Sequence, residues 1–364
     1  MKKYFYSFLA FAFTIALSEH ASAQGCVAVK NMSSCSLNWG TDQNFSGWQA
    51  SLNYRYFRSY KHFRGKHEET ERVENGTEVI NNDNSINLGL TYTFNSKWSV
   101  SAYVPYIWID RSSLYEHLGN STQTNPNQER FHTQSTGFGD LRVVAYLNTM
   151  PKYSKGSLIA GLGVKLPTGN YHVKDYFQKP EGSTLLPVDQ SIQLGDGGTG
   201  VIAEVDFSHL IKGRIFGYVN AMYMVNPRNT NGVLRSPNLT NNIPLSNEMS
   251  VPDQYMARAG GRYSHNGIQA SLGARMECIP VEDLIGKSDG FRRPGYIISA
   301  EPSFFYTTGN HTFGINVPIA LERNRTQSVL DKKRTEITGQ YQHGDAAFAD
   351  WLVSVSYAYR FAKK

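Results

Sequence analysis

The 364-residue chain is poor in charge, in cysteine and in long hydrophobic runs. Only 18% of its residues are charged and three are cysteine, and no stretch after residue 20 offers eighteen consecutive apolar residues. The last absence excludes a bundle of membrane-spanning helices. Aromatic residues are abundant instead, and 22 Tyr, 19 Phe and 5 Trp are too many for an unstructured chain. Taken alone, the mean hydropathy of −0.42 describes a soluble, β-rich globular protein.

The first 23 residues have the layout of a secretory signal peptide. Met1-Lys2-Lys3 is followed by a nearly apolar run from Tyr4 to Leu17 and then by Ala21-Ser22-Ala23, a small-residue cleavage site. Cleavage after Ala23 leaves 341 residues and lowers the net charge from +6 to +5, because two Lys and one Glu are lost. The mature chain is therefore expected to be exported.

The three cysteines are Cys26, Cys35 and Cys278. Cys26 and Cys35 lie close together in an exported segment, so a local disulfide between them is one expectation. Lipid attachment at Cys26 is a competing one, which Gln24 fits poorly. No histidine accompanies this pair, so neither a metal site nor another cofactor is expected. Cys278 is interpreted as a small apolar residue at the end of a strand.

Beyond residue 45, large apolar residues alternate with small or polar ones. Such alternation places the apolar side chains on one face of a β-strand. Twelve segments follow the pattern, at 46–58, 84–94, 98–109, 137–148, 157–168, 200–208, 214–226, 253–264, 267–278, 295–307, 311–322 and 349–361. Their apolar faces comprise 62 positions, and none of these carries a charge. Only in segment 214–226 is the choice of face ambiguous, because Phe216, Tyr218, Met222 and Met224 lie on the other one.

The connections between these segments alternate in length. Long ones span 59–83, 110–136, 169–199, 227–252, 279–294 and 323–348, and short ones span 95–97, 149–156, 209–213, 265–266 and 308–310. A β-sandwich also has alternating faces, but it has no reason to sort its loops in this way. An even number of strands with long loops at one end and short turns at the other is typical of bacterial outer-membrane barrels.

We therefore predict an all-β fold, a transmembrane antiparallel up-and-down β-barrel of about 12 strands over residues 46–361. A periplasmic segment at 24–45 precedes it, and a short tail at 362–364 follows it. The predicted location is the outer membrane of a Gram-negative bacterium, with long extracellular loops, short periplasmic turns and both termini in the periplasm. Lipid and lipopolysaccharide are then the expected surroundings.

Two features near strand positions refine this prediction. The last segment alternates from Trp351 to Phe361 and resembles the C-terminal signal that the barrel-assembly machinery reads, so this machinery is an expected partner during biogenesis. Pro105, Pro302 and Pro318 fall inside predicted strands, where a closed barrel has no free edge for them. We expect bulges or inter-strand water at these three prolines.

The inward faces of the segments carry seven basic and seven acidic residues. Ten of these are candidates for lining a constriction: Asp140, Arg142, Lys165, Glu204, Asp206, Arg258, Arg262, Arg275, Glu277 and Glu301. Their mixed signs favour neutral, zwitterionic or amphipathic solutes, because strong ion selectivity needs rings of one sign. The densest group consists of Arg258, Arg262, Arg275, Glu277 and Glu301. It is interpreted either as a network that stiffens the barrel or as a constriction that orients a solute.

Catalysis and nucleic-acid binding are not indicated. Outer-membrane hydrolases need a Ser-His or Asp-His constellation near the outer face, yet His209, His265 and His311 fall at short turns. The glycine-rich run Gly195–Gly200 lacks the Lys-Ser/Thr of a phosphate-binding loop. The run Lys332–Arg334 is a candidate contact for lipopolysaccharide phosphates, although a solvated basic loop also explains it. Basic residues are scattered along an exported chain, so the pI near 9 does not point to nucleic acid.

Short glycine-rich motifs carry a family resemblance. Gly137-Phe138-Gly139-Asp140-Leu141 opens one predicted strand, Gly163-Val164-Lys165-Leu166-Pro167-Thr168-Gly169 closes the next, and a glycine-rich stretch then leads into Glu204 and Asp206. Over residues 46–361 the chain resembles the outer-membrane family associated with the meta-pathway of phenol degradation, described as transporters. The resemblance implies a barrel that passes hydrophobic or aromatic compounds. Within its motifs it singles out only Asp140 and Lys165.

The leading hypothesis is a channel or transporter that passes small neutral, amphipathic or aromatic solutes by passive diffusion. A plugged barrel whose external loops bind a partner or a glycan is the alternative from a different class. An outer-membrane hydrolase is a third hypothesis, less favoured because of the histidine positions.

Overall fold

Twelve antiparallel wall positions close into a β-barrel in the computed structural model, which describes residues 45–150, 155–235 and 247–361. The strands in chain order are β1 (Gly47–Arg64), β2 (His67–Glu68), β3 (Ile80–Thr93), β4 (Trp98–Ser113), β5 (Phe131–Phe138), β6 (Leu141–Asn148), β7 (Gly156–Leu166), β8 (Lys174–Lys179), β9 (Gly182–Pro187), β10 (Gly200–Lys212), β11 (Ile215–Val225), β12 (Thr230–Leu234), β13 (Glu248–Ser250), β14 (Gln254–His265), β15 (Ile268–Ile279), β16 (Gly295–Thr308), β17 (His311–Asn316), β18 (Ile319–Asn324) and β19 (Ala346–Arg360). The helices are α1 (Glu71–Glu74), a 3-10 turn (Gln190–Ile192) and α2 (Val329–Thr338). No helix among the described residues is long and apolar enough to cross a membrane.

The barrel closes where the first strand meets the last. β1 pairs with β3 on one side and with β19 on the other, with Gln49 opposite Arg360 and Phe63 opposite Ala346. Two wall positions are each shared by two strands, since β5 and β6 both pair with β4, and β17 and β18 both pair with β16. The strand β2 and the hairpins β8–β9 and β12–β13 are additions at the long-loop end. The predicted twelve-stranded barrel is confirmed.

The two faces of the wall differ as the alternation predicts. Leu162, Leu272 and Leu321 point outward with 64–68% of their surface exposed, and lipid is the solvent that such a face requires. In the ambiguous segment 214–226, Val219 is 45% exposed while Met222 is 4% exposed. The even-numbered face therefore points inward. It joins an inner apolar cluster formed by Val144, Tyr146, Ile202, Met222, Met224 and Met256.

The three strand prolines were expected at bulges or inter-strand water, but Pro105 and Pro302 instead lie opposite the two interruptions of the wall and Pro318 lies within one of them. The carbonyl of Pro105 accepts a hydrogen bond from the Gly139 N–H at 2.8 Å, opposite the break between β5 and β6. The carbonyl of Pro302 accepts one from the Val317 N–H at 3.1 Å, opposite the break between β17 and β18, which contains Pro318. A proline has no N–H to donate to the neighbouring strand of a regular ladder. Where the neighbouring strand is interrupted, that hydrogen bond is not required.

The connections sort by length between the two ends of the barrel. Five short turns join strands at one end, and in one of them Asn266 and Gly267 have φ values of 47° and 79°. Such Asn-Gly pairs favour the tight hairpin turns that match strand twist. The long connections span 65–79, 114–130, 167–199, 226–253, 280–294 and 325–345, all at the opposite end.

One long connection, 167–199, folds into the mouth of the barrel. Its side chains Val188, Ile192 and Leu194 pack on Ile107 and Ile109, which lie on the inner face of β4. Burial of these apolar side chains is what draws this connection inward. The mouth is therefore partly filled by the chain itself.

Candidate functional site

All ten inward residues that the alternation singles out are buried on the inner face of the barrel, none more than 9% exposed. Cys26 and Cys35, the candidates for a disulfide, lie outside the described residues. Cys278 is a buried thiol at the end of β15, in keeping with its expected role as a small apolar residue.

Glu301 is the centre of the densest charged group, hereafter the Glu301 network. Its Oε1 lies 3.1 Å from Nη1 of Arg275 and 3.5 Å from Nη1 of Arg258, and it accepts a hydrogen bond from Asn316 at 2.7 Å. Arg275 also bonds to Glu277 at 2.8 Å. Arg258 and Arg275 are direct neighbours on β14 and β15, so a shared carboxylate is needed to hold them together.

The remaining members of the predicted densest group and its neighbours are held by other contacts. Arg262 does not bond to Glu301 but lies over the ring of Phe216, 5.2 Å from its centroid. Glu204 accepts a hydrogen bond from the hydroxyl of Tyr146 at 2.8 Å, which ties it to the inner apolar cluster. The lumen thus presents alternating charged and apolar patches rather than a ring of one sign.

The glycine-rich motifs converge at the break between β5 and β6. The carboxylate of Asp140 accepts hydrogen bonds from the Gly169 N–H at 2.9 Å and the Asp196 N–H at 3.3 Å, and Lys165 binds Asp196. A Cβ on Gly195 would lie 2.6 Å from the carbonyl oxygen of Gly169 and 2.7 Å from a carboxylate oxygen of Asp140. Only glycine allows this approach. The motifs therefore fasten the two ends of connection 167–199 to each other and to the break between β5 and β6, beside the lumen.

A cavity of about 400 Å³ at the long-loop end is lined by six arginines, and we call it the arginine vestibule. The six are Arg72, Arg111, Arg235, Arg293, Arg325 and Arg334. All six long connections contribute to its lining. The alternation could not reveal it, because loops have no period. The one available signal was that these arginines lie in or beside the long connections.

Carboxylates hold four of the six arginines in place. Asp189 forms two hydrogen bonds with Arg293, at 2.7 and 2.8 Å, and lies 3.7 Å from Arg111. Asp345 bonds to Arg72 at 2.7 Å. Burial alone would raise the pKa of Asp189, but Arg111 and Arg293 more than offset this and hold that pKa well below its usual range.

Helix α2 positions the ion pair of Arg325 with Asp331 and also Arg334. Ser328 caps the helix, and its side chain and that of Asp331 exchange hydrogen bonds with each other's backbone N–H. The carboxylate of Asp331 also bonds to Arg325 at 3.1 Å. In the run Lys332–Arg334, Lys333 bonds to Asp289 at 2.6 Å while Arg334 lines the vestibule. The run is therefore divided between the loop surface and the cavity.

His62, Glu69 and Asp345 lie close enough together to suggest a metal site beside the vestibule. Their hydrogen bonds argue against it. Nε2 of His62 accepts the Val79 N–H at 2.8 Å, so Nδ1 carries the proton and donates to Asp345 at 2.6 Å. Because Arg72 already supplies the positive charge beside both carboxylates, this group does not fit a metal ion.

His117 ties connection 114–130 to the hairpin β8–β9. Its ring stacks on Phe177 at 5.2 Å between centroids, and its Nδ1 accepts the Gln178 N–H at 3.1 Å. Burial lowers the pKa of His117 to about 4, from about 6.5 in an unfolded chain. Since the folded-state pKa is the lower one, this contact is fully stabilising above about pH 6.5 and is weakened as the pH falls towards 4.

We therefore expect hydrogen exchange in residues 114–130 and 174–187 to accelerate between pH 7 and pH 4.5, after correction for intrinsic rates. In His117→Gln this additional acceleration should be absent. His172→Gln, which changes an exposed histidine just before the hairpin β8–β9, is the control and should behave like the wild type. An identical pH profile for His117→Gln and wild type would contradict this assignment.

Comparison by sequence finds no matching family model and no matching curated protein. Solved structures do share the fold. An outer membrane channel from Pseudomonas putida matches with a TM-score of 0.57 at 13% identity, over 88% of this chain and 98% of that chain. The β domain of the Bordetella autotransporter BrkA (TM-score 0.44, 12% identity, 87% and 100% coverage) and the P. putida toluene transporter TodX (0.39, 10%, 87% and 91%) are more distant, too distant to support further conclusions. The chain has the fold of an outer-membrane channel barrel.

Proposed function

We propose that the protein is a passive channel of the bacterial outer membrane for small neutral or amphipathic solutes, aromatic ones among them. The observation that carries the proposal is the pairing of an uncharged outer face with a lumen of mixed charges. The outer face suits lipid, and the lumen offers polar contacts of both signs beside an inner apolar cluster. A solute with a polar and an apolar part matches this sequence of surfaces.

The lengths of the loops support one orientation of the barrel. Outer-membrane barrels place their long loops outside and their short turns in the periplasm. In this orientation the arginine vestibule faces the exterior, and the Glu301 network lies below it in the lumen. A solute would meet the vestibule first and then the lumen, where the inner apolar cluster and the inward charged residues lie side by side, as Met256 lies opposite Glu277. Assembly by the barrel-assembly machinery and contact of the outer loops with lipopolysaccharide are parts of the same proposal.

The resemblance of the Asp140 and Lys165 motifs to the phenol meta-pathway family supports the choice of aromatic solutes. Asp140 and Lys165 serve here to fasten connections beside the lumen, through Gly169 and Asp196. The motifs thus shape the wall and the mouth rather than binding a solute themselves.

The alternative of a plugged barrel is favoured by one specific observation, the inward packing of connection 167–199 on Ile107 and Ile109. In that case the loops would act as a binding surface and the barrel as their anchor. The two proposals differ in whether solutes cross.

Purified protein in planar bilayers is expected to show single-channel conductance, and in proteoliposomes it should admit uncharged solutes such as benzyl alcohol or arabinose. Shortening connection 167–199 by deleting residues 174–194 should increase conductance, because this removes Val188, Ile192 and Leu194, the side chains that pack into the mouth. Protein-free liposomes and boiled protein are the controls. If neither the full chain nor the deletion variant shows conductance or flux, the channel proposal is rejected and the plugged barrel remains.

A further inference from the structure

We propose that the arginine vestibule is a capture site for small organic anions, which binds an acidic head group and packs an aromatic or apolar body beside it. This inference rests on the proposed channel function for its physiological meaning. The site itself can be tested without any transport measurement. Nothing in the strand pattern of the lumen points to it, because the charges there are mixed.

The charges of the vestibule do not balance within the described residues. Arg72, Arg111, Arg293 and Arg325 each lie within 4 Å of a carboxylate. Arg235 and Arg334 have no carboxylate within that distance among the described residues. The adjoining residues 236–246, outside the described part of the chain, contain no Asp or Glu in their sequence. Within the described part of the chain, two arginines of the vestibule are therefore without a carboxylate partner, and we infer that an incoming anion takes that place.

Arg235 is the better placed of the two. Its guanidinium lies over the ring of Phe291 at 4.0 Å from the centroid, and that of Arg293 lies over the same ring at 5.0 Å. Two like charges on one ring repel each other. Burial, and then the charge of Arg293, lower the pKa of Arg235. An anion bound to Arg235 would relieve both effects, and a planar carboxylate matches the fork of an arginine.

The cavity has room for the body of such a solute. Its lining is mixed, and the apolar side chains of Val79, Phe291 and Leu330 lie among polar ones. A volume of about 400 Å³ lies within the range of roughly 300–1,000 Å³ in which small molecules bind. A one-ring aromatic carboxylate would fill such a cavity more fully than an inorganic ion, which would leave most of it to water.

The test is equilibrium dialysis of the full-length protein in detergent with labelled benzoate, with labelled benzamide as the neutral analogue of the same shape. Benzoate should bind and benzamide should bind at least tenfold more weakly. Arg235→Gln should weaken benzoate binding about tenfold or more, because an ionic hydrogen bond is lost. The matched control is Arg214→Gln, which removes the same charge from a short turn at the other end of the barrel and should leave binding unchanged.

Several outcomes would overturn the inference. Equal binding of benzoate and benzamide would remove the role of charge, and unchanged binding in Arg235→Gln would remove this site. If inorganic phosphate displaces benzoate as effectively as unlabelled benzoate does, the organic body of the solute contributes nothing to binding. Electrophoresis of unheated and heated samples, in which a folded barrel migrates as a compact band and an unfolded one does not, checks that each variant is folded. If Arg235→Gln fails to assemble, Arg334→Gln takes its place, with a severalfold loss expected and no loss contradicting the proposal.

Binding and conductance test the capture site and the channel separately. Benzoate binding without conductance would retain the capture site and reject the channel. Conductance with arabinose flux but without benzoate binding would retain the channel and reject the capture site.

Discussion

Leu272→Arg is expected to destabilise the folded barrel by about 2–4 kcal/mol, which is the cost of an arginine on the lipid face near the bilayer midplane. Leu272 lies in the middle of β15, points outward and is 64% exposed. In water such a substitution would be nearly neutral, since an exposed arginine is well hydrated. The effect therefore depends on lipid around this side chain. Unfolding by urea in lipid vesicles measures it.

Leu284→Arg is a closely matched control for this change. Leu284 is 70% exposed, slightly more than Leu272, but it lies in the long connection 280–294. Arginine there stays in water, and the unfolding midpoint should not move. If the two substitutions have equal effects, the outer face at Leu272 is not covered by lipid and the membrane assignment is wrong.

Glu301→Gln is expected to lower stability by about 3–5 kcal/mol, the usual cost of removing one partner of a buried ion pair. Glu301 is 1% exposed, and its charge is shared by Arg258 and Arg275, at 3.5 and 3.1 Å, which face each other across β14 and β15. The amide keeps the size of the side chain, so packing changes little. The temperature at which the compact band converts to the unfolded band on a gel should fall markedly.

The control for this prediction is Glu322→Gln in β18. Glu322 bonds to Lys66 at 2.6 Å, but the side chains are 37% and 62% exposed, so water replaces the lost partner. No measurable shift is expected there. If Glu301→Gln melts at the wild-type temperature, the Glu301 network does not stabilise the wall. Its members would then be free to serve a solute, and the change should appear in conductance instead.

Much of the barrel could be predicted because lipid imposes the same rule on every strand. Each outward side chain in the membrane has to be uncharged, so Leu162 and Leu272 can be recognised without knowing their neighbours. The prediction is weaker at the long-loop end, where β1 continues to Arg64 although the alternation ends near residue 58. Beyond the membrane an outward side chain can be polar, and the period that marks a strand disappears.

The ambiguous segment 214–226 shows where a single strand is not enough. Met222 and Met224 are as apolar as the opposite face, and contact with Val144 and Ile202 from other strands explains why they turn inward. A lumen can hold an apolar cluster when several strands supply it together. No single strand contains that information.

For the charged residues of the lumen, too, the sequence predicts direction but not contacts. The ten inward charges were predictable as inward, but their partners were not: Arg262 lies over Phe216, whereas Arg258 and Arg275 share Glu301. The arginine vestibule was missed altogether. Its members occupy connections with no regular period, so no local rule distinguishes them from solvated loop residues.

The number of wall strands, their order and, outside segment 214–226, the face that meets lipid follow from residue alternation, because each strand obeys this rule alone. The way the long connections fold over the mouth and the pairing of the charges follow only from the three-dimensional fold. The vestibule joins side chains from Arg72 to Arg334, brought together by the closure of β1 on β19. Ion pairing and burial between such distant residues depend on distances in space, which the order of residues along the chain does not specify.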